Sequence, residues 1–398
     1  MLIANDTYPP QLNGAAVATQ RLALGLAGRG HQVAVIAPNM SFKDETDEEV
    51  VAGKGADISV FRVKSVSVKP LHPQFRVTYW LGINAKLGQI VRDFRPDIMH
   101  IQNHFILGKG CLKIAREKGL PIIGTNHFLP NNLFEFIPTS LRPAISSIMW
   151  GHFLKTYNYL DCVVAPSHAC LQILRDVGLT ANARVISNGI DLSKYKKVTP
   201  PDSIYSRYGI RRNRPTFLAV GRLEKDKNVE LVLRATALVA REAQVQTVIV
   251  GKGRDEAEFK ALAHKLDLGN SAVFTGFVPD DDMPYLYSIS NVYIGAGAAE
   301  LQGIAVMEAM ATGLPVLAAN AVALPELVVD DENGYLFALD PHDLADKMLK
   351  MLSQKESWQR MGAKSLAFIQ VHDTPNALAQ LEDLYHEVIT SAGSISVG

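Results

Sequence analysis

Cysteine is scarce in this chain. There are three in 398 residues, at positions 111, 162 and 170, each in an apolar helix-like or strand-like context without metal-ligand spacing. That excludes a disulfide framework and suits a reducing, cytoplasmic compartment. Long apolar runs are missing as well, since none approaches the eighteen or so residues of a membrane span. No signal-like segment precedes the first strand-like run, MLIAN, on which the chain opens almost directly. Net charge is zero, which argues against a nucleic-acid partner. The loop after the first strand also lacks GxGxxG, so a conventional dinucleotide fingerprint is not supported.

What is present is an ordinary globular composition, 47% hydrophobic with a mean hydropathy of +0.06, long enough for two domains with a core each. The neutral total hides an asymmetry. Residues 1–190 carry 19 Lys/Arg against 13 Asp/Glu, and residues 191–398 carry 21 against 27. A basic front half and an acidic back half suggest different partners for the two halves. Short β-branched runs (HQVAVIAP, DIMHIQ, PIIGTN, DCVVAPS) alternate with helical segments such as Ala15 to Gly28 and Gly108 to Lys118. The pattern restarts after a polar, proline-containing stretch, Leu192 to Asp202, with RPTFLAVG, QTVIVG, AVFTG, NVYIGA and LPVLAA. Continuous apolar strands between helices predict parallel sheets covered on both faces. The fold class is therefore α/β, with two Rossmann-like doubly wound domains and no internal sequence repeat behind the doubling. In such sheets ligands sit at the carboxyl ends of the strands where strand order reverses. The last helical run, Asn376 to Ile389, has no following strand and is expected to pack away from its own sheet.

The loops at the strand ends carry the candidate chemistry. Gly14 falls in the turn before the first helix, where a missing Cβ lets a ligand approach backbone N–H groups; a plain helix-entry glycine explains it equally. VGRLEKDKN places Arg222 and Lys227 directly after a strand, where a fork and a point charge suit a diphosphate; solvated surface charge is the alternative. Gly251 and Gly253 of VGKG allow close backbone approach, or a structural turn. In ELQGIAVMEAMATG, Glu300 and Glu308 stand eight positions apart. On a helix that leaves them roughly 80° apart and about 12 Å along the axis, too far to share one bond. A helix starting near Gly303 offers free N–H groups to an anion. Glu300 before it and Glu308 inside it would then grip two parts of one long ligand. The competing reading is a solvent-facing Glu308 and a dipole-complementing Glu300. Asp280, Asp281 and Asp282 formally match DxD, but an acidic run before a helix complements its N-terminus, and no metal is expected.

Taken in order, YPPQLNGAA, GTNH, SNGIDLSKY, GRLEKDKN, GKG, GFVP and the two glutamates of ELQGIAVMEAMATGLPV resemble the retaining family 4 (group 1) glycosyltransferases of GT-B fold. The resemblance implies two domains facing each other across a cleft. Residues 1–191, with a crossover helix at 376–398, would form an acceptor domain, and residues 192–375 a nucleotide-sugar domain. It further implies that Arg222 and Lys227 bind the donor diphosphate, Glu300 the sugar hydroxyls and Glu308 the ribose. Gly251, Gly253, Val278, Gly303 and Ile304 would complete the donor site, and Gly14 would approach it from the opposite domain. His127 of GTNHF matches the family's active-site histidine. The implied catalytic set is His127, Glu300, Arg222 and Lys227, with no cofactor and no metal. The implied reaction moves a hexose from a nucleoside-diphosphate sugar, a UDP-sugar first, to a hydroxyl acceptor.

For the acceptor, Ile58 to Arg92 contains no acidic residue, while Arg62, Lys64, Lys69, Arg76, Lys86 and Arg92 are interleaved with large apolar groups. A second acid-free stretch runs from Phe136 to Leu160. Basic charge with apolar bulk suits an anionic membrane surface, and a core helix with solvated lysines explains it equally. His104 of IQNHFILGKG, with Asn131 and Asn132 of GTNHFLPNNL, resembles lipid-directed members such as diacylglycerol glycosyltransferases. A peripheral position on the inner face of the cell membrane follows from that resemblance. A soluble sugar, sugar-phosphate or polyol acceptor stays open, as does a sugar-nucleotide epimerase on a similar fold.

Overall fold

The computed structural model describes residues 1–11, 13–42, 45–52, 57–67, 76–130 and 137–395. The chain divides into two compact units, Met1–Asn188 with Thr374–Gly398, and Gly189–Asp373. The sequence placed the divide at 191/192 and the return at 376.

Runs such as AVIAP (Ala34–Pro38), CVVA (Cys162–Ala165), QTVIV (Gln246–Val250) and VLAA (Val316–Ala319) are buried at every position. A strand apolar on both faces is stable only with helices on both sides, which is the parallel-sheet solution. In the second unit six parallel strands lie in the spatial order Ala272–Gly276, Gln246–Val250, Thr216–Val220, Val292–Gly295, Val316–Ala319 and Gly334–Phe337. Numbered along the chain, that order is 3-2-1-4-5-6, the doubly wound arrangement. The first unit repeats it. Its parallel strands run Ala183–Val185, Cys162–Ala165, Ile122–Thr125, Met99–Ile101, Leu2–Ala4, Ala34–Pro38 and Asp57–Val63, with Glu45–Ala52 antiparallel at the edge. Strand order reverses between Leu2–Ala4 and Met99–Ile101 in the first unit, and between Thr216–Val220 and Val292–Gly295 in the second.

The last helix, Thr374–Ile395, belongs to the first unit. Leu378, Leu381, Leu384, Tyr385 and Val388 share a core with Ile3, Val35 and Ile123. Gly25 is small because Leu378 lies there: a Cβ at Gly25 would stand 2.7 Å from the Leu378 Cδ1. Two polar contacts fix the docking. The Tyr385 hydroxyl lies 2.8 Å from His100 Nδ1, and the Glu382 carboxylate meets both Arg29 (2.6 Å) and His31 (2.8 Å). This accounts for the helix that has no strand after it.

The stretch Ile58 to Arg92 is not one surface. It contributes the sheet strand Asp57–Val63, the hairpin strands Ser65–Ser67 and Arg76–Thr78, and the helix Ile83–Phe94. Arg62 is buried, bonded to the Pro9 carbonyl (2.9 Å) and lying over the Tyr8 ring. Lys69 lies outside the described residues.

If the helix is docked this way, Tyr385→Phe should lower stability by about 1–3 kcal/mol, because a buried imidazole nitrogen loses its partner. Urea unfolding measures the loss, and an unchanged midpoint would show that the contact carries no weight.

Candidate functional site

In the second unit a pocket opens where strand order reverses, the usual place for a ligand in such a sheet. Two loops and one helix start build it. The loop after Thr216–Val220 supplies Gly221, Arg222 and Lys227; the loop after Val292–Gly295 supplies Gly297 and Glu300; and Gly303 sits immediately before the helix Ile304–Ala311. Gly303 has a φ of 78°, and a Cβ there would lie 2.7 Å from Leu324 Cδ2. Only glycine turns the chain into the helix at that point without strain. Gly297 lies against the acid: a Cβ there would come within 2.5 Å of Glu300 Oε1, so the Glu300 side chain would have to shift.

The charges are mutually paired. Lys227 Nζ donates to Glu300 Oε1 at 2.7 Å and stands 3.4 Å from Asp226. Arg222 is bonded to Glu224 and lies 3.6 Å from Asp226. Burial works against the Lys227 charge, but the carboxylates of Glu300 and Asp226 outweigh it and hold the ammonium above its ordinary pKa. These are two cations that an anion can take over from carboxylates already in place.

Gly251 and Gly253 do not line this cavity. Their close approach is to the neighbouring loop: a Cβ at Gly251 would stand 1.9 Å from the Gly221 carbonyl oxygen, and one at Gly253 within 2.5 Å of the Leu223 backbone. The bonds Leu223 N–H to Lys252 O and Asp255 N–H to Leu223 O, both 3.0 Å, zip the two loops together. The glycines thereby set where Arg222 stands.

The reversal point of the first unit is a buried polar cluster. Asp6, directly after strand Leu2–Ala4, accepts from the Thr78 hydroxyl (2.7 Å) and from the Leu107 N–H (3.2 Å) at a helix start. Burial still pushes its pKa up to about 6. Asn103 reaches Asn5 at 2.7 Å. His127 Nε2 lies 2.8 Å from Gln102 Oε1, and burial lowers its pKa to about 4. His127 is therefore a neutral imidazole at neutral pH.

The family models agree with both units. "Glycosyltransferase Family 4" matches residues 12–194 and "Glycosyl transferases group 1" matches residues 202–367. An alpha-monoglucosyldiacylglycerol synthase of Streptococcus pneumoniae is 30% identical over 354 residues, covering 87% of this chain and 77% of the relative. The chain belongs to the family 4 glycosyltransferases. A GDP-mannose-dependent alpha-mannosyltransferase of Mycobacterium tuberculosis is 27% identical, covering 92% of this chain and 91% of the relative. Among solved structures, Anabaena HepE in complex with UDP has a TM-score of 0.71 at 20% identity, with 97% and 99% of the two chains covered. That likeness shows the GT-B fold of two Rossmann-like domains.

In this glycosyltransferase the structure brings Arg222, Lys227, Glu300 and Gly303 to one cavity. Ile304 opens the helix behind Gly303. Glu308 is the fifth residue of that helix; it is buried, does not line the cavity, and accepts from Tyr287 Oη at 2.8 Å. Val278 packs into the core of the unit. Gly14 begins the helix Gly14–Ala27, and a Cβ there would meet nothing within 4 Å among the described residues. His104 is walled in by the rings of Phe105, Phe128 and Phe153 at 4.3–5.3 Å, and its Nδ1 has no hydrogen-bond partner among the described residues. Asn131 and Asn132 lie outside the described residues. Of the aspartates in the DxD-like run, Asp280 pairs with Lys194 and Asp282 with Arg207 and Tyr208. Sequence reasoning missed Glu224 and Asp226 as counter-ions and Asp6 as a buried acid. The acids were visible in EKD and ND; their partners were not.

Two outcomes check this geometry. Gly14→Ala should change stability by no more than a few tenths of a kcal/mol, whereas Gly251→Ala, at a φ of 133° against backbone, should cost about 3 kcal/mol or more; thermal unfolding distinguishes them. Acid should also weaken the first unit. Burial lowers His100 and His104 to about 3 and His127 to about 4. Below pH 6.5 the unfolded chain therefore binds protons that the folded chain refuses, and stability is lost as pH falls. Asp6 acts in the opposite sense between its ordinary value and about 6. The net slope is about two protons, or roughly 3 kcal/mol per pH unit near pH 5. Urea titrations at pH 7 and pH 5 should show it, and equal stability at the two pH values would contradict neutral burial.

Proposed function

We propose that this enzyme is a retaining, metal-independent hexosyltransferase that uses a UDP-sugar and a membrane lipid acceptor of the diacylglycerol class. The observation that carries the donor assignment is the joining of Arg222, Lys227 and Glu300 at the start of helix Ile304–Ala311. A diphosphate takes the place of the carboxylates on Arg222 and Lys227, and the free N–H groups at the helix start add a further anion site. Glu300, released from Lys227, is placed to accept from sugar hydroxyls.

In the reaction the bond from the anomeric carbon to the diphosphate oxygen breaks. The acceptor oxygen bonds the same carbon on the same face, and its proton passes to the departing phosphate. The cations stabilise the charge that develops on the leaving group, so the protein contributes positioning and electrostatics. UDP is favoured by the UDP complex of the Anabaena neighbour, and a lipid acceptor by the monoglucosyldiacylglycerol relative. The GDP-mannose-dependent relative supports a second reading with that donor.

A thermal-shift series with UDP-glucose and GDP-mannose decides between them. At a hundred times its dissociation constant the true donor should stabilise by about 2.7 kcal/mol. Lys227→Ala should weaken that donor by about 10- to 100-fold, the loss of one charge-assisted contact. Glu300→Ala should lower turnover more than nucleotide affinity. Wild-type affinity in Lys227→Ala would remove the site assignment, and a larger shift with GDP-mannose would select the second reading.

A further inference from the structure

The first unit carries a second charged and apolar surface, on the helix Ile106–Lys118 whose first turn meets Asp6 and on the helix that packs beside it. Helices Ile106–Lys118 and Arg142–Tyr157 leave an open groove lined by Lys109, Lys113, Arg116, His152, Lys155 and Tyr159. Along the second helix, Ile148, His152 and Lys155 follow at helical spacing and share one face. Leu141 precedes that face and Tyr159 follows it. Leu141 is 51% exposed, Ile148 61% and Tyr159 61%. Large apolar groups therefore stand in water at both ends of a basic stripe.

The balance of charge there is one-sided. Glu117 approaches Lys113 at 3.9 Å, while Lys109 and Lys155 have no carboxylate within 4 Å among the described residues. Arg116 is tied to the Tyr159 carbonyl, which holds a guanidinium at the groove edge. The cations are spread along two helix flanks instead of converging on one point, which suits an extended field of negative charge better than a single phosphate. The apolar side chains beside them would be a liability in water and an anchor at a lipid interface.

We propose that this two-helix face docks the enzyme on an anionic lipid bilayer, with Lys109, Lys113, Arg116 and Lys155 over the headgroups and Leu141, Ile148 and Tyr159 at the interface. The attraction is electrostatic and additive, about fivefold in affinity per cation, and is screened by salt. This extends the lipid-acceptor reading and fails separately from it, because vesicle binding is measured without sugar transfer.

The test is co-sedimentation of the full chain with phosphatidylcholine vesicles, with and without phosphatidylglycerol. Wild type should sediment with the anionic vesicles, less so at high salt, and should remain in the supernatant with neutral ones. The double variant Lys113→Glu/Lys155→Glu should bind at least tenfold more weakly, and Lys113→Gln/Lys155→Gln by a smaller step. Both should keep the wild-type donor thermal shift, since neither residue belongs to the donor site. Ile148→Ser should weaken the binding that survives high salt. Equal sedimentation of wild type and the glutamate variant, or equal binding to neutral and anionic vesicles, would overturn the proposal.

Discussion

Two positive charges five residues apart on one loop repel unless something nearby answers them. In this chain the answer is built in: Glu224, Asp226 and Glu300 lie against Arg222 and Lys227. The arrangement keeps both cations oriented at the carboxyl end of the central strands without a ligand. It also means that a diphosphate arriving there exchanges one set of anionic partners for another, so little side-chain ordering remains to be done. The rest of the second unit serves that loop. The tight fit of Gly251 and Gly253 against Gly221 and Leu223 sets its height above the sheet, and Gly303 turns the facing helix start toward the same cavity.

The first unit uses the same strand order for a different end. Its reversal point is filled by amides, a buried acid and neutral histidines rather than by a row of cations. Such a cluster is costly to bury and depends on every partner being present. The C-terminal helix contributes one of those partners, the Tyr385 hydroxyl on His100. The segment that returns from the second unit is therefore part of the first unit's polar core as well as of its apolar one. Folding of the first unit accordingly depends on residues at both ends of the chain.

Much of the architecture was legible in the sequence because buried parallel strands leave unbroken apolar runs. The nine runs quoted from Ala34 to Ala319 all contain strands. Edge elements left no such mark. Glu45–Ala52, with the sequence ETDEEVVA, is half acidic, and Ala183–Val185 spans three residues. Asp57–Val63 was hidden by its one basic residue, since nothing in the order of letters shows that Arg62 turns inward to Pro9 and Tyr8. The site was legible as a set of strand-end residues, since Arg222, Lys227, Glu300 and Gly303 all follow or precede regular elements. Its pairing was not. The contact between Lys227 and Glu300 joins residues 73 apart in sequence, and only the fold brings them within a hydrogen bond.

The most direct measurement is a crystal structure of the chain grown or soaked with UDP-glucose. The account predicts the diphosphate on Arg222 and Lys227, at the N-terminus of helix Ile304–Ala311, with the Lys227–Glu300 pair opened and Glu300 on the sugar. A nucleotide bound elsewhere, with Lys227 still paired to Glu300, would contradict it.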